Sequence, residues 1–355
     1  MKPSDRSTAV GPASPAPWCS EDWADARVRE AAHEVAGSVE GSLGLATRLE
    51  PIARSMGRDT WPVLAALATL GAVDLTTARV VEPHWDAVAI LEQAGDAGPG
   101  APSGATWGVY AAAPPGPGLA ASRSPGGTWQ LSGTKQWCSL ADRVSHALVT
   151  ADVAGEGPGL FAVSLHDPGV SVDAAAWVSR GLRDVTTSTV VLSDVPASPV
   201  GPPGWYLDRP GFAWGGMGVA AVWFGGAAAL AGALWHAAGR REPDQVALLQ
   251  LGACDVLLHG ALLALRDAAA AVDGGRAEGV AGRLLAARVR AQVAACAEEV
   301  LTRVGHALGP GPLALDAEHA ARVADLTVYL RQHHAERDLA ALGRLALTRS
   351  DGSTT

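Results

Sequence analysis

Residues 127–195 constrain the fold of this chain more than any other segment, because they alternate short apolar runs with turn residues. Gly, Pro and Asp interrupt the runs at intervals of about ten positions, a spacing that predicts a compact antiparallel sheet or a small barrel. The runs are Thr128–Leu131, Ala147–Thr150, Leu160–Leu165, Val170–Val172 and Thr187–Leu192. Helix-rich sequence lies on both sides, so a β module is held between two helical regions, which few fold classes allow.

Helix signals fill both flanking regions. In the first region, Leu64, Leu67 and Leu70 recur three apart and give one apolar face. Further on, Pro83 suits a helix start and Gly95 suits a helix C-cap. In the second region, long helical segments joined by short loops predict an up-down bundle. Its four segments are Gly211–Gly239, Pro243–Val272, Gly279–Leu308 and Ala317–Leu347.

The sequence therefore predicts an α+β fold with N-terminal helices, a central antiparallel β module and a C-terminal four-helix bundle. The first residues are polar, rich in Pro and Ser, and lack the apolar core of a signal peptide, which predicts a disordered lead-in. The predicted segments are the lead-in at 1–20, a shortened N-terminal helical domain at 21–105, the β domain at 106–198 and the bundle at 199–348.

Composition excludes several classes of function. The net charge is −9 and the Lys and Arg residues form no cluster, which argues against a nucleic-acid-binding surface. Four widely spaced cysteines form no CxxC pair, which predicts a reduced, cytoplasmic protein without structural disulfides or a metal site.

Residues 210–239 carry no Asp, Glu, Lys or Arg and are long enough to span a membrane. Their many Gly and Ala residues favour a buried helix instead, and we predict no membrane span.

The most informative motif lies at residues 129–139, which read WQLSGTKQWCS. Gly133 allows a turn with positive φ, Trp137 supplies a flat apolar wall, and the Ser139 hydroxyl can donate to a ring nitrogen. The alternative is that Trp137 is an ordinary core aromatic and Ser139 an ordinary turn residue. The segment resembles the Gly-x-Lys-x-Trp/Phe-Ile-Thr hairpin of the acyl-CoA dehydrogenase superfamily of flavoproteins. Later segments follow in that family's order and spacing, at 161–164, 168–170, 180–183 and 187–196.

This resemblance implies a flavoprotein that binds FAD and oxidises an acyl-CoA thioester at its α,β bond. By similarity, Trp137 lies against the isoalloxazine, and Ser139 replaces the Thr that hydrogen-bonds near flavin N5. The resemblance also implies that the backbone from Val109 to Ala112 contacts the flavin. Arg183, within the RGLR segment, is a candidate substrate contact.

The sequence departs from the family in two segments that hold the cofactor. The family's Thr-Glu-Pro-x-x-Gly-Ser-Asp turn corresponds to residues 110–119, YAAAPPGPGL, which lack the Glu, Ser and Asp. The loop with an Arg-x-x-Phe-Gly signature, whose Arg meets the FAD pyrophosphate of a neighbouring subunit, reads GRREPDQ at residues 239–245. Arg240 and Arg241 can pair with phosphate there, although the Phe-Gly is absent. These two arginines equally suit a helix C-terminus, which favours cations.

The catalytic glutamate of the family is not found. The matching position holds Arg331 or Gln332, and a guanidinium does not accept a proton near neutral pH. The alternative position for the base, within residues 215–226, contains no acid. His333 and His334 are the candidate acid/base groups instead, because a histidine titrates near neutral pH. Flavin-dependent oxygenases of this superfamily use a His near this position; the alternative is a solvated helix face.

Three functions follow from the resemblance and its departures. The first is FAD-dependent α,β-oxidation of an acyl-CoA thioester by this chain. The second is a non-catalytic subunit in a heteromer with a complete acyl-CoA dehydrogenase, which fits the lost Glu and the shortened N-terminal region. The third is a flavin-dependent monooxygenase or oxidase that uses His333 or His334. We expect a homo-oligomer or such a heteromer, with contacts through the Ala- and Gly-rich first bundle helix; the acyl group and the electron acceptor stay open.

Overall fold

The structure is a computed structural model that describes residues 23–95, 98–99, 102–112, 118–173, 177–240 and 242–351. Within these ranges, helices come first, a β barrel follows, and a helical bundle ends the chain. This order confirms the predicted α+β class and its succession of elements. The lead-in predicted at residues 1–20 lies outside the described residues.

Five helices precede the barrel in the described part of the chain. Asp25, Ser38 and Asp74 cap three of them, because each side chain accepts a backbone N–H of the first turn. The helices are α1 (Ala26–Val35), α2 (Val39–Arg48), α3 (Glu50–Ala53), α4 (Thr60–Val73) and α5 (Leu75–Ala94).

Helix α5 runs without interruption through a proline. The prediction that Pro83 lies near a helix start is wrong, since it occupies the middle of α5. Asp74 is the N-cap residue, because its carboxylate accepts the Thr77 N–H at 2.8 Å, and Gly95 is the C-cap residue and has positive φ. Most of α5 is buried against the rest of the protein, and this burial offsets the backbone hydrogen bond that Pro83 cannot donate.

The β domain forms a small closed barrel, one of the two forms that the sequence predicts. Its described strands are β1 (Trp107–Tyr110), β2 (Leu119–Arg123), β3 (Trp129–Ser139), β4 (His146–Val153), β5 (Gly157–Ser164), β6 (Val170–Asp173) and β7 (Thr187–Pro199). The strands β2, β3, β7, β5 and β4 pair in that order, and β4 pairs again with β2, which closes the ring. β1 extends the sheet beside β4, and β6 extends it beside β7.

Most of the described strand pairs are antiparallel, as predicted, but β4 runs parallel to both β1 and β2. For the β1–β4 pair, the physical reason is a hydrogen-bonded pairing just before the two strands begin. Thr106 N–H donates to the Ser145 hydroxyl at 3.0 Å, and Ser145 N–H donates to the Thr106 hydroxyl at 2.9 Å. Since both strands leave this pair in the same direction, they lie parallel. The sequence pattern identified neither β1 nor β2.

A long bundle of helices completes the fold. Its described helices are α6 (Trp205–Asp208), α7 (Pro210–Arg240), α8 (Gln245–Asp273), α9 (Gly279–Leu308), α10 (Pro310–Leu315), α11 (Ala317–Tyr329) and α12 (Glu336–Asp351). The central helix is α7, which packs against α4, α5, α8, α9 and α11. The bundle therefore buries its first helix and arranges the others around it.

Glycines let α4 and α7 approach backbone to backbone. A Cβ added at Gly225 would lie 1.9 Å from the Ala68 carbonyl oxygen, and one added at Gly71 would lie 2.4 Å from the Val222 carbonyl oxygen. Neither position has room for a side chain, since real Cβ atoms do not approach backbone oxygens so closely. The small residues of α7 thus serve packing inside the protein, as the sequence predicts for a buried helix.

Two described helices, α7 and α8, are long and apolar enough to cross a membrane by length and composition alone. Of the apolar window of α7, 89% is buried inside the protein, against 17% for that of α8. Such helices are weak evidence for a membrane, because a buried core helix passes the same test. The absence of a membrane span stays a prediction.

The fourth bundle segment, predicted as one helix over 317–347, is broken. Helix α11 ends at Tyr329, a 3-10 turn covers Leu330–Gln332, and His333 has extended backbone before α12 begins. The Asp338 carboxylate accepts the His334 N–H at 3.1 Å, and the Arg290 guanidinium donates to the Gln332 carbonyl at 3.1 Å. These two contacts satisfy backbone groups that an unbroken helix would pair internally, so they stabilise the break.

We expect Gly225→Ala to destabilise the protein by about 3 kcal/mol, because the new methyl group overpacks the α4–α7 contact. Denaturant unfolding monitored by circular dichroism measures the change. The matched control is Gly305→Ala in α9, where an added Cβ meets no atom within 4 Å. That variant should be neutral or more stable by about 0.5 kcal/mol, since Ala favours helix over Gly. Equal stabilities of the two variants would contradict the backbone contact.

Candidate active site

An exposed tryptophan marks the surface of the barrel. The pairing of β3 with β7 shifts register between Lys135 and Cys138, which is a β-bulge. Within the bulge, Trp137 has φ +62° and its side chain is 63% exposed. A left-handed backbone conformation is costly for a bulky residue and marks sites where the surroundings or a ligand require it. Trp137 is therefore no ordinary core aromatic, because the bulge leaves its indole at the surface.

The bulge is anchored by its two buried neighbours. Lys135 is buried and donates through Nζ to the Thr150 carbonyl at 3.0 Å and to its hydroxyl at 2.7 Å. Burial lowers the pKa of Lys135. Cys138 is fully buried on the other side of Trp137. The strand on both sides of the indole is thus fixed in the barrel, which leaves Trp137 facing outward.

Ser139 lies where the barrel meets α5. Its hydroxyl accepts from the Arg79 guanidinium at 3.0 Å and lies 3.1 Å from the Thr187 hydroxyl. The Tyr110 hydroxyl donates to the Ser139 carbonyl at 3.0 Å. Ser139 therefore links β3, the strand of Trp137, to Arg79 of α5, which lies outside the sequence motif.

Arg79 belongs to a buried charged group. Its guanidinium lies 3.3 Å from the Glu82 carboxylate, which also accepts the Tyr329 hydroxyl at 3.3 Å. Burial raises the pKa of Glu82 from 4.5 to about 7, and the neighbouring Arg79 cation opposes part of that rise. The Tyr329 pKa also lies well above its usual value because the phenol is buried. Glu82 is thus a carboxyl group that titrates near neutral pH.

A cavity of about 540 Å³ lies beside this charged group, between α5, α7, α9 and α12. Charged and polar side chains line part of it, namely Glu82, Asp86, Tyr206, Arg209, Arg283, Arg290, Gln332, His333 and Asp338. Apolar side chains line the rest, namely Phe212, Val219, Ala286, Ala287, Leu342 and Leu345. The volume suits a small organic substrate, and the mixed lining suits one with both polar and apolar parts.

Two glycines of α7 leave room for the polar lining. A Cβ at Gly215 would lie 2.9 Å from the Asp86 carboxylate, and one at Gly216 would lie 3.0 Å from the Arg290 side chain. Asp86 is held by Arg209 at 3.9 Å, and burial raises its pKa. Helix α7 has no acidic residue between positions 215 and 226, as the sequence shows. The cavity instead receives two carboxylates from α5, those of Glu82 and Asp86.

The structure separates the two candidate histidines. The His333 side chain is 10% exposed and lines the cavity. Its Nε2 is buried with no hydrogen-bond partner in the described part of the chain, and the Asp338 carboxylate lies 3.9 Å away. Burial lowers the pKa of His333, although Asp338 opposes this. The His334 side chain is 65% exposed, lies 3.5 Å from Asp338 and does not line the cavity.

Arg290 holds the His333 turn in place. Its guanidinium donates to the Gly216 carbonyl and to the Gln332 carbonyl, both at 3.1 Å, and stacks 4.9 Å from the Trp223 ring. The contact to Gln332 fixes the peptide that precedes His333. Arg290 is therefore a positioning residue for the histidine of the cavity.

The remaining predicted site residues lie apart from the cavity. Val109 is half-buried in β1 and Ala112 is exposed just after it, next to residues 113–117, which lie outside the described ranges. Arg240 is exposed at the end of α7, and Arg241 is not among the described residues. The Arg183 side chain is 77% exposed and pairs with Asp184 at 3.8 Å, so it does not reach the cavity. The described residues contain no cluster of His, Cys, Asp and Glu that could hold a metal ion.

Sequence reasoning missed the charged residues of α5. Arg79, Glu82 and Asp86 recur at intervals of three and four, which puts all three on one face of a helix. Most of their neighbours in this helix are apolar and buried. Three charges on one face of a buried helix are a signal of a polar site, and this signal was present in the sequence. Arg290 and Arg209 carried no such signal, because their partners come from distant helices.

Comparison with known proteins gives structural matches only. No protein-family model and no curated protein matches the chain by sequence. FMN-bound TdsC, a dibenzothiophene monooxygenase from Paenibacillus sp. A11-2, has a TM-score of 0.72 at 16% identity, over 91% of this chain and 98% of that one. KijD3, in complex with FMN and dTDP-3-amino-2,3,6-trideoxy-4-keto-3-methyl-D-glucose, has a TM-score of 0.73 at 20% identity, over 93% and 91%.

A dehydrogenase matches equally well. Butyryl-CoA dehydrogenase from Megasphaera elsdenii has a TM-score of 0.73 at 16% identity, over 90% of this chain and 93% of that one. Identities this low establish the fold and leave the reaction open. The resemblance seen in the β3 hairpin is confirmed at that level: this chain has the acyl-CoA dehydrogenase fold.

Proposed function

We propose that this chain is a flavin-dependent oxidoreductase of the monooxygenase type, with its substrate in the cavity beside His333. One observation carries the proposal. Ser139, two residues after the exposed Trp137 in β3, is joined to the cavity by the contact of its hydroxyl with Arg79 and the contact of Arg79 with Glu82. A ring bound on this part of β3 would therefore have a polar connection to a substrate bound in the cavity.

The residues present fit a flavin. The Trp137 indole is flat, exposed and held in a strained conformation, which suits stacking against a planar ring. By similarity, the Ser139 hydroxyl and the backbone groups from Val109 to Ala112 would complete the site. When bound, a flavin supplies two-electron redox chemistry and the reaction with O₂ that inserts one oxygen atom into a substrate. Two of the solved structures with this fold contain FMN.

His333 is the proposed acid/base group of the cavity. Because burial lowers its pKa below the usual 6.5, the neutral imidazole predominates at pH 7 and its free nitrogen can accept a proton. The Nε2 atom has no competing hydrogen bond within the described residues, so it is available to a substrate hydroxyl or amine. Asp338, 3.9 Å from Nε2, then stabilises the imidazolium that forms. Arg290 keeps the turn in the orientation that this transfer needs.

Acyl-CoA dehydrogenation is the second candidate, and one observation favours it. The sequence has no glutamate at the family's position for the base, at the end of α11. Glu82 could take that role, because it lines the cavity and burial raises its pKa to about 7. A base with that pKa is suited to proton abstraction at neutral pH. Anaerobic mixing with acyl-CoA thioesters distinguishes the two, since only a dehydrogenase bleaches its flavin without O₂. The same preparation tests whether FAD is the specific flavin. It also tests whether the chain is instead a non-catalytic subunit of a heteromer.

We expect Trp137→Ala to weaken flavin binding by about five- to twelvefold, because an aromatic stacking contact contributes on the order of 1 to 1.5 kcal/mol. Titration of the apoprotein with FMN and with FAD, followed by flavin fluorescence, measures both affinities. Trp137→Phe, which keeps a flat ring, should stay within about threefold of the wild type. Failure of the wild type to bind either flavin would overturn the proposal and favour the non-catalytic role.

His333→Ala should lower kcat/KM by about 10²- to 10⁴-fold, the usual contribution of a general base. His334→Ala is the matched control and should stay near wild type, because its side chain faces solvent. The rate should rise with pH through the lowered pKa of His333 and be level above pH 7, since only the neutral imidazole accepts a proton. The assay measures O₂-dependent product formation with reduced flavin across amines, thioethers and thioesters. Equal losses in both variants would contradict the assignment.

We expect the free energy of unfolding of the wild type to fall as the pH rises, because of Glu82. In the Glu82→Gln variant this fall should be absent. The folded state of Glu82 holds its proton up to about pH 7, whereas the unfolded chain releases it near 4.5. The raised pKa therefore favours folding at low pH, and this advantage disappears as the pH passes 7. Between pH 5 and 8.5 the difference amounts to about 2–3 kcal/mol, at 1.36 kcal/mol per pKa unit. Denaturant unfolding at both pH values measures it.

The control for this experiment is Glu92→Gln on the same helix, whose side chain is 38% exposed. That variant should keep the wild-type dependence of unfolding free energy on pH. A Glu82→Gln variant with the same pH dependence as wild type would show that the carboxyl group does not titrate near neutral pH.

A further inference from the structure

A small inner pocket adjoins the large cavity, between α3, α4, α5 and the start of α7. Its volume is about 20 Å³, which is room for a group the size of one water molecule. Four lining residues are common to the inner pocket and the 540 Å³ cavity, namely Glu82, Asp86, Arg209 and Gly215. The inner pocket is therefore an extension of the cavity. Apolar side chains form its opposite wall, namely Ala53, Met56, Val63, Leu67, Trp85 and Ala89.

Two N–H donors of the inner pocket have no acceptor. The Arg209 side chain is 3% exposed, and its Nε is buried with no hydrogen-bond partner in the described part of the chain. The Nε2 of Gln93 is buried and unpartnered within the same residues, and both side chains line the inner pocket. Buried polar groups in proteins are almost always hydrogen-bonded, so two unpaired donors at one pocket indicate a site for an acceptor.

Neighbouring contacts fix the orientation of both donors. The Nη1 of Arg209 donates to the Gln93 Oε1 at 2.7 Å, and a flipped amide would set N–H against N–H. The amide nitrogen of Gln93 therefore keeps its donors for another partner. The Arg209 guanidinium also stacks 5.2 Å from the centre of the Tyr206 ring. Gly211 leaves the space that this pair occupies, because an added Cβ would collide with the Gln93 amide and the Arg209 guanidinium.

The charges around the inner pocket select a neutral acceptor. The Asp86 carboxylate lies 3.9 Å from the Arg209 guanidinium, and Glu82 lines the same pocket. These two acids disfavour a carboxylate or phosphate ligand, and the guanidinium disfavours a cation. A carbonyl oxygen carries no net charge and no proton, and its two lone pairs can accept from two donors at once.

We propose that the inner pocket is a carbonyl site: it binds a ketone, ester or amide oxygen of the substrate, to which Gln93 Nε2 and Arg209 Nε donate. This assignment rests on the proposed function, because it takes the cavity as the substrate site. His333 lines the cavity but not the inner pocket. The carbonyl site therefore holds one end of the substrate, and the rest extends into the cavity that contains the histidine.

The first experiment compares two small ligands of the same shape on the wild-type chain. Acetophenone carries a C=O group where α-methylstyrene carries C=CH₂, so the two differ in the acceptor alone. Ligand-observed NMR titration at neutral pH measures both Kd values. Acetophenone should bind at least about tenfold more tightly, because one of its two hydrogen bonds comes from a charged donor. Equal affinities, or no binding of acetophenone at about 10 mM, would overturn the proposal.

A second experiment assigns the preference to Gln93. Gln93→Glu keeps an oxygen for Arg209 to donate to and replaces the free amide nitrogen with a carboxylate oxygen, which repels a carbonyl. The preference for acetophenone should fall to within about threefold. The matched control is Gln250→Glu in α8, where the amide oxygen accepts from Arg303 at 3.1 Å, and it should keep the wild-type preference. An unchanged preference in a Gln93→Glu variant with wild-type circular dichroism would contradict the assignment.

The carbonyl site and the proposed reaction fail in different ways. A chain that binds neither FMN nor FAD and still prefers acetophenone would lose the proposed reaction and keep the carbonyl site. A chain that binds flavin and shows no preference between the two ligands would lose the carbonyl site alone. The comparison of ligands on the wild type needs no variant, so it stands even where Gln93→Glu does not fold.

Discussion

Close packing around α7 is the constraint on which the rest of the structure depends. The helix carries no charged residue from Pro210 to Gly239, so it can be buried on nearly every side. Its glycines have two separate consequences. Near Gly225 the α4 backbone lies directly against it, which fixes the N-terminal helices on the bundle. Near Gly215 and Gly216 the missing side chains leave space that Asp86 and Arg290 occupy, so every charge in the cavity comes from a neighbour of α7.

Burial moves the pKa values of two ionisable groups of the cavity in opposite directions. It raises the pKa of Glu82 to about 7 and lowers that of His333, so the neutral imidazole of His333 predominates at neutral pH. Burying such groups costs stability, and sites that keep them are usually functional. Arg79 partly neutralises Glu82 while it bonds to Ser139, which makes the same cation part of both the cavity and the barrel surface.

The order of the structural elements depends on local sequence patterns and was predicted from them. The parallel pairing of β4 and the break before His333 depend on contacts between distant residues, and the sequence did not predict them. The order of helices, barrel and bundle followed from periodicity and turn residues, and the assignment of Trp137 and Ser139 to a flavin site stays a prediction from the hairpin motif. The parallel pairing of β4 depends on a contact between Thr106 and Ser145, which no local pattern encodes. The break before His333 depends on Arg290, forty-three positions earlier, so helical periodicity alone continued through it. The spacing of Arg79, Glu82 and Asp86 on one face of α5 is visible in the sequence, but only the structure shows that this face lies beside the cavity.

Closure of the barrel has a consequence for how this protein behaves when many copies are crowded together. Among the described strands, only β1 and β6 pair on one side alone, and each has four residues. Free backbone edges recruit strands from other molecules, and short edges recruit them poorly. The β domain is therefore protected from edge-to-edge aggregation by its own topology.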